Sequence, residues 1–128
     1  MRLLLDTHSL IWYVDQDHLL GPAAHAAITD PSNSLLLSSG SIWEIAIKVG
    51  IKKLALSRSY RAWIEKAVGD LGLSILPITV EYAEALLILP KHHKDPFDRL
   101  LVAQAQVEGV PLVSADANLD AYGITRVW

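Results

Sequence analysis

The chain contains no cysteine, which excludes disulfide staples and thiolate metal sites and is compatible with a reducing cytoplasm. It also lacks any apolar run near the roughly 20 residues that a membrane span requires. A secretory leader core is missing too, because one arginine and three leucines run straight into Asp6. Excess positive charge is absent: 11 Lys and Arg stand against 14 Asp and Glu, for a net charge of −3. Nucleic-acid binders usually carry a basic balance, so the total argues mildly against such a partner. The mean hides local structure, however. Lys91, Lys94 and Arg99 form one basic segment, and Lys48, Lys52, Lys53, Arg58 and Arg61 form another. Basic rims around an acidic centre can still sum to a negative number.

Apolar residues are plentiful, at 52% of 128 residues, with four tryptophans. This length fits one domain, residues 1–128, burying roughly two-thirds of the surface its unfolded form exposes. Part of the apolar surplus is expected at the surface, as a patch for self-association or for a partner. No repeat, low-complexity tract or linker interrupts the chain.

Short apolar runs alternate with segments of helical periodicity. Strands are expected at Leu3–Leu5, Ser34–Ser38, Leu73–Pro77, Val110–Ser114 and Ile124–Trp128. Helices are expected at Thr7–Val14, from Gly21-Pro22 to Ile28, and at Ser41–Val49, Ser57–Val68 and Thr79–Leu87, with another from Asp95 to Glu108 stopped by Gly109. Such alternation implies a parallel sheet covered on both faces, with ligands bound outside the carboxyl ends of its strands.

The segment KHHKDPFDRL, residues 91–100, reads as a helix start: Asp95 as N-cap, Pro96 at the first helical position, Asp98 in the first turn. Three further acids fall on the same edge of the predicted sheet. Asp6 follows the first strand, Glu44 is expected in the first turn of the helix after the second, and Asp116 comes just after Val110–Ser114. Each has a structural explanation taken alone: a cap for Asp6, a capping box with Ser41 for Glu44, the helix dipole for Asp98, an Asx-turn for Asp116. Two observations favour a shared role. Asp98 lies on the apolar stripe of Leu101, Val102 and Ala105, and Glu44 lies in a helix apolar nearly all round. Carboxylates withdrawn from water need a partner, and like charges cannot supply it. A hard divalent cation such as Mg²⁺ can.

Four segments then carry a family resemblance: LLLDTHSLIW, SSGSIWEIAIKVGIKKL, HHKDPFDRLLVAQA and VSADANLDAYGITRVW. Over essentially its full length the chain resembles the PIN domain, specifically the VapC-type ribonuclease toxins of prokaryotic toxin–antitoxin pairs. The resemblance implies an α/β fold of three layers, with a central parallel sheet of about four to five strands flanked by helices. It implies endonuclease cleavage of RNA with Mg²⁺ or Mn²⁺, an antitoxin protein as partner, and a homodimer. Asp6, Glu44, Asp98 and Asp116 match the acidic quartet that binds metal and carries catalysis. Thr7 and Ser114 match the hydroxyl residues that support it, and Asp95 matches a frequent extra acid behind it.

Glu44 or Asp116 is the expected base for the attacking water. Lys48, Lys91, Lys94 and Arg99 are candidates for contacts to RNA phosphates. His92 and His93 are adjacent and diverge, and no histidine has an obvious helical partner, so a histidine metal site is not expected. Trp12, Trp43 and Trp63 read as core or interface residues rather than base-stacking ones, and Trp128 as packed. Two rival classes stay open: a Mg²⁺-dependent phosphatase, although LLLDT is followed by His8 where the haloacid-dehalogenase pattern needs a second aspartate, and a non-catalytic interaction module whose acids merely cap helices.

Overall fold

The computed structural model describes all 128 residues. Five parallel strands form its sheet, in the order β3-β2-β1-β4-β5: β1 Arg2–Leu5, β2 Ser34–Ser38, β3 Ser74–Leu76, β4 Leu112–Val113 and β5 Arg126–Val127. The helices are α1 Thr7–Asp15, α2 Pro22–Thr29, α3 Ser39–Gly50, α4 Tyr60–Leu71, α5 Val80–Ile88 and α6 Pro96–Glu108. The expected α/β class, parallel sheet and flanking helices are what the chain adopts.

The leucine runs of β1 and β2 follow from burial on both faces. Side chains alternate along a strand, so Leu3, Leu5, Leu35 and Leu37 meet α1, α2, α3 and α4 through Leu10, Ile11, Ala24, Ile28, Ile45, Trp63 and Ala67. Leu4, Leu36 and Leu112 face the other way, onto Leu101, Val102 and Ala105 of α6, with Leu89 and Tyr122. A strand covered on one face only would show polar residues at every second position.

The helix boundaries differ from expectation where side chains are claimed elsewhere. α4 begins at Tyr60 rather than Ser57, because the Ser57 backbone N–H and hydroxyl both donate to Asp15, at 3.1 and 2.6 Å. Asp15 also accepts from the indole of the fully buried Trp63 at 3.1 Å, so it is a structural acid and not a solvated one. β4 and β5 are shorter than the apolar runs that suggested them.

α3 starts earlier than expected. Ser38 is its N-cap and accepts from the Gly40 N–H at 3.1 Å, leaving Ser41 inside the helix. Glu44 is therefore one turn further in, and the capping-box reading with Ser41 does not hold. Gly40 lies close against α6: a Cβ there would stand 2.6 Å from Leu100 Cδ2, so the leucine side chain would have to move. The start of α3 abuts α6 at this point, which brings the Glu44 helix against the Asp98 helix.

Candidate metal centre

At the carboxyl edge of the sheet, the acids are fixed by the elements that deliver them. Asp6 leaves β1 and caps α1, its Oδ1 accepting from Ser9 N at 2.7 Å. The Ser9 hydroxyl donates to Val113 O at 3.0 Å, which ties this junction to the end of β4. Asp95 caps α6 by accepting from the N–H groups of Phe97 and Asp98 at 2.8 and 3.1 Å, and Pro96 occupies the first helical position as the sequence implies. Asp98 then projects from the first turn. Asp116 caps a short 3₁₀ turn, Ala117–Tyr122, accepting from Asn118 N at 3.0 Å and donating its own N–H to the buried Ser114 hydroxyl at 3.1 Å.

Glu44 is buried, and both of its oxygens are engaged. Thr7 donates its hydroxyl to Oε1 at 2.7 Å, and Lys48 Nζ lies 2.6 Å from Oε2. The Thr7 hydroxyl is also 2.9 Å from that of Ser41. An acid shielded from water in this way is stabilised by its lysine and its hydroxyl, not by solvent.

Asp98 has less compensation. Burial, first of all, and then the charge of Asp95 raise its pKa from 3.8 to about 6; Glu44 and Asp6 add to the rise, and His93 opposes it. The charges of Asp6, Glu44 and Asp95 therefore all reach this one carboxyl group. The fourth acid of the quartet, Asp116, is linked to it through His93.

That histidine is the residue sequence reasoning missed. His93 Nε2 lies 3.1 Å from Asp116 Oδ2 and 3.5 Å from Asp98 Oδ2. Its Nδ1 accepts the Asp95 N–H at 3.2 Å, which puts the ring proton on Nε2, facing the two carboxylates. His93 thus donates to Asp116 and stands within ion-pair distance of Asp98. Atoms of His93, Asp98 and Asp116 all lie within 4.8 Å of one another, a spacing that could hold a cation. The absence of helical spacing made His93 look unpaired. Its placement depends on a loop held by distant groups: the His93 N–H donates to Tyr122 Oη at 2.8 Å, and Arg99 Nη1 donates to Pro90 O at 2.9 Å. His92 instead packs edge-on against Tyr122.

The basic residues divide into two kinds. Lys48 is committed to Glu44, and the Arg99 guanidinium fans over the carbonyls of Leu86, Leu89 and Pro90. Lys91 and Lys94 are exposed, and with His93 and Arg99 they line a cavity of about 320 Å³ beside the acids. A larger cavity, about 420 Å³, opens near Val110 and Pro111 at the amino end of β4, on the opposite edge of the sheet.

The donor set fits a hard divalent cation. It offers carboxylate oxygens with too few positive charges among them, no sulfur, and a single imidazole whose reactive nitrogen is already protonated. Magnesium and manganese match such oxygen donors.

A family model described as "PIN domain" matches residues 3–124. No curated protein matches the chain in sequence. Among solved structures, the chain is similar to VapBC2 from Rickettsia felis bound to a DNA fragment from its promoter, with a TM-score of 0.74 and 13% identity over 98% of this chain and 97% of that one. It is similar to VapC20 of Mycobacterium tuberculosis, described as a Sarcin-Ricin loop cleaving toxin, with a TM-score of 0.65 and 16% identity over 96% of both chains. A toxin–antitoxin complex from Klebsiella pneumoniae gives a TM-score of 0.55 and 22% identity over 89% of this chain and 86% of that one. At these identities the likeness is one of fold.

Proposed function

The chain belongs to the PIN domain family, and from that premise we propose that it is a Mg²⁺- or Mn²⁺-dependent endoribonuclease, the toxin of a toxin–antitoxin pair acting in the cytoplasm. One observation carries this reading: carboxylates from separate chain segments meet at one sheet edge, where burial, with repulsion from neighbouring acids added, raises the Asp98 pKa to about 6. A purely structural acid gains nothing from such an arrangement. The similarity to a ribonucleolytic toxin and to toxin–antitoxin complexes supports the same reading.

Asp6, Asp98 and Asp116 would hold the ion, with Glu44 at its flank. When bound, the ion supplies Lewis-acid polarisation of a phosphate oxygen and charge opposite the leaving oxygen. The chain's own groups do the rest. Glu44 or Asp116 would take a proton from the attacking water; both oxygens of each are held by neighbours, Glu44 by Thr7 and Lys48 and Asp116 by Asn118 and His93. Glu44 positions Thr7 and Lys48. Asp95 aims Asp98 by fixing the first turn of α6, and Ser114 steadies Asp116 through its backbone N–H. Lys91 and Lys94 supply contacts to the RNA backbone, which orient a strand without reading its sequence. The test is cleavage of pooled cellular RNA by the purified protein with Mg²⁺, with Mn²⁺ and with a chelator. Metal-dependent fragments are expected. No cutting with either metal, together with a melting temperature that metal leaves unchanged, would overturn the nuclease and leave an interaction module.

A second copy of the chain is the proposed cover for one apolar surface. Val80, Leu87 and Ile88 on α5 are 84, 84 and 86% exposed, and Ile75 on the edge strand β3 and Ile78 beyond it are also exposed. A monomer rarely leaves such a group of residues in water. Sedimentation equilibrium should give a dimer for the wild type and a monomer for Leu87→Lys/Ile88→Lys. A monomeric wild type at all concentrations would remove the homodimer from the proposal.

A further inference from the structure

Trp43 does not behave as the helix around it suggests. The sequence of α3 is apolar nearly all round, and Trp63 on α4 is fully buried, yet 61% of Trp43 is open to solvent. Its only aromatic neighbour is Phe97, at 5.6 Å between ring centres with planes 75° apart. In an edge-on pair of this kind one ring meets the other by its rim, so much of the indole surface stays free.

The location is more informative than the exposure. Trp43 directly precedes Glu44, and Phe97 directly precedes Asp98. Each Cα therefore stands about 3.8 Å from that of an acid of the centre. The two rings come from different helices, α3 and α6, and meet across the place where Gly40 lets those helices touch. The indole is thus largely open to solvent and paired with a ring that is itself one residue from Asp98, so a flat apolar face stands near the acids without being used by the core.

We infer that Trp43, backed by Phe97, is a stacking platform for an unpaired base of the nucleic-acid strand whose phosphate reaches the acidic centre. This inference rests on the nuclease reading and adds to it a residue that would contact a base rather than a phosphate. A helical duplex keeps its base faces covered and cannot use the platform. The charge distribution agrees with a nucleic-acid occupant. Exposed Lys91 and Lys94 flank the acids and can hold backbone phosphates, while the indole takes a base face irrespective of sequence. Ile47 and Ile51 continue the exposed stripe along α3, at 36 and 56% exposure. They lie progressively further from the acids and offer no flat face.

The experiment compares wild type, Trp43→Ala and Trp43→Phe with three fluorescein-labelled probes: a random-sequence single-stranded 12-nucleotide RNA, an RNA duplex of about equal length, and an abasic strand with the same phosphates. Affinity is measured with a chelator present, and cleavage of the single strand with Mn²⁺. For the single strand, Trp43→Ala should weaken binding by about 5- to 150-fold, the range for one stacked base. Trp43→Phe should recover most of that loss. Neither substitution should alter binding of the abasic strand or the duplex. Equal losses for all three probes would mean that Trp43 acts through fold or charge, and would overturn the platform. Unchanged single-strand binding by Trp43→Ala, with wild type still cutting, would overturn the platform and leave the nuclease standing; loss of antitoxin binding in that same variant would reassign the surface to a protein. A wild type that neither binds nor cuts RNA would overturn both readings.

Discussion

Asp98→Asn is expected to abolish metal-dependent RNA cleavage, a loss of about a thousandfold or more, while the protein remains folded. The size follows from the several kcal/mol of charge stabilisation that a bound ion contributes, at about 1.4 kcal/mol per tenfold in rate. The fold should survive because α6 is capped by Asp95, whose Oδ1 takes the N–H groups of Phe97 and Asp98 regardless of the side chain at position 98. The variant also removes a charge held under repulsion. In a chelator at pH 7.5 its melting temperature should therefore lie above that of the wild type. Adding Mn²⁺ should raise the wild-type melting temperature and leave the variant nearly unmoved. A variant that cuts as well as the wild type, or gains as much from metal, would remove Asp98 from the centre.

The second large effect is the dependence of metal affinity on pH. The Asp98 carboxyl group titrates near 3.8 when unconstrained and near 6 in the fold. Between those values the native state holds a proton that the unfolded chain has released. The metal-free protein should therefore lose stability as pH rises from about 4 to about 6, the reverse of an acid held by a salt bridge. Metal reverses the trend, because it binds the deprotonated form and must displace the proton below pH 6. The Kd for Mn²⁺ should weaken by about tenfold per pH unit below that point and be nearly flat above it. Calorimetric titration at pH 5, 6 and 7.5 measures this directly. A Kd at pH 5 within about twofold of that at pH 7.5 would show that no strongly shifted carboxylate meets the ion.

Much of this arrangement is readable from residue patterns, and the exceptions share a physical cause. The leucine runs of β1 and β2, the Asp95-Pro96 helix start and the Gly109 stop are local signals, and the structure follows them. The convergence of the acids at one edge follows from topology, since all strands run parallel and Asp6, α3, α6 and Asp116 each begin at or follow the carboxyl side. The misreadings arise where distant groups decide. Ser41-x-x-Glu44 looks like a capping box, but Ser38 closes the helix earlier and frees Glu44 for Thr7 and Lys48. His93 has no periodic partner in sequence, and Tyr122 and Arg99 hold the loop that delivers it to Asp98 and Asp116. Trp43 and Trp63 occupy helices of similar apolar content, and only tertiary packing assigns one to the surface and one to the core.

Two of the clustered acids are also helix caps: Asp6 bonds the N–H of Ser9 and Asp116 that of Asn118. Asparagine caps a helix about as well as aspartate does. Aspartate and asparagine codons differ at a single base. On the proposed reading, one transition at either position would therefore remove a metal-holding carboxylate from the product and leave its helix caps in place.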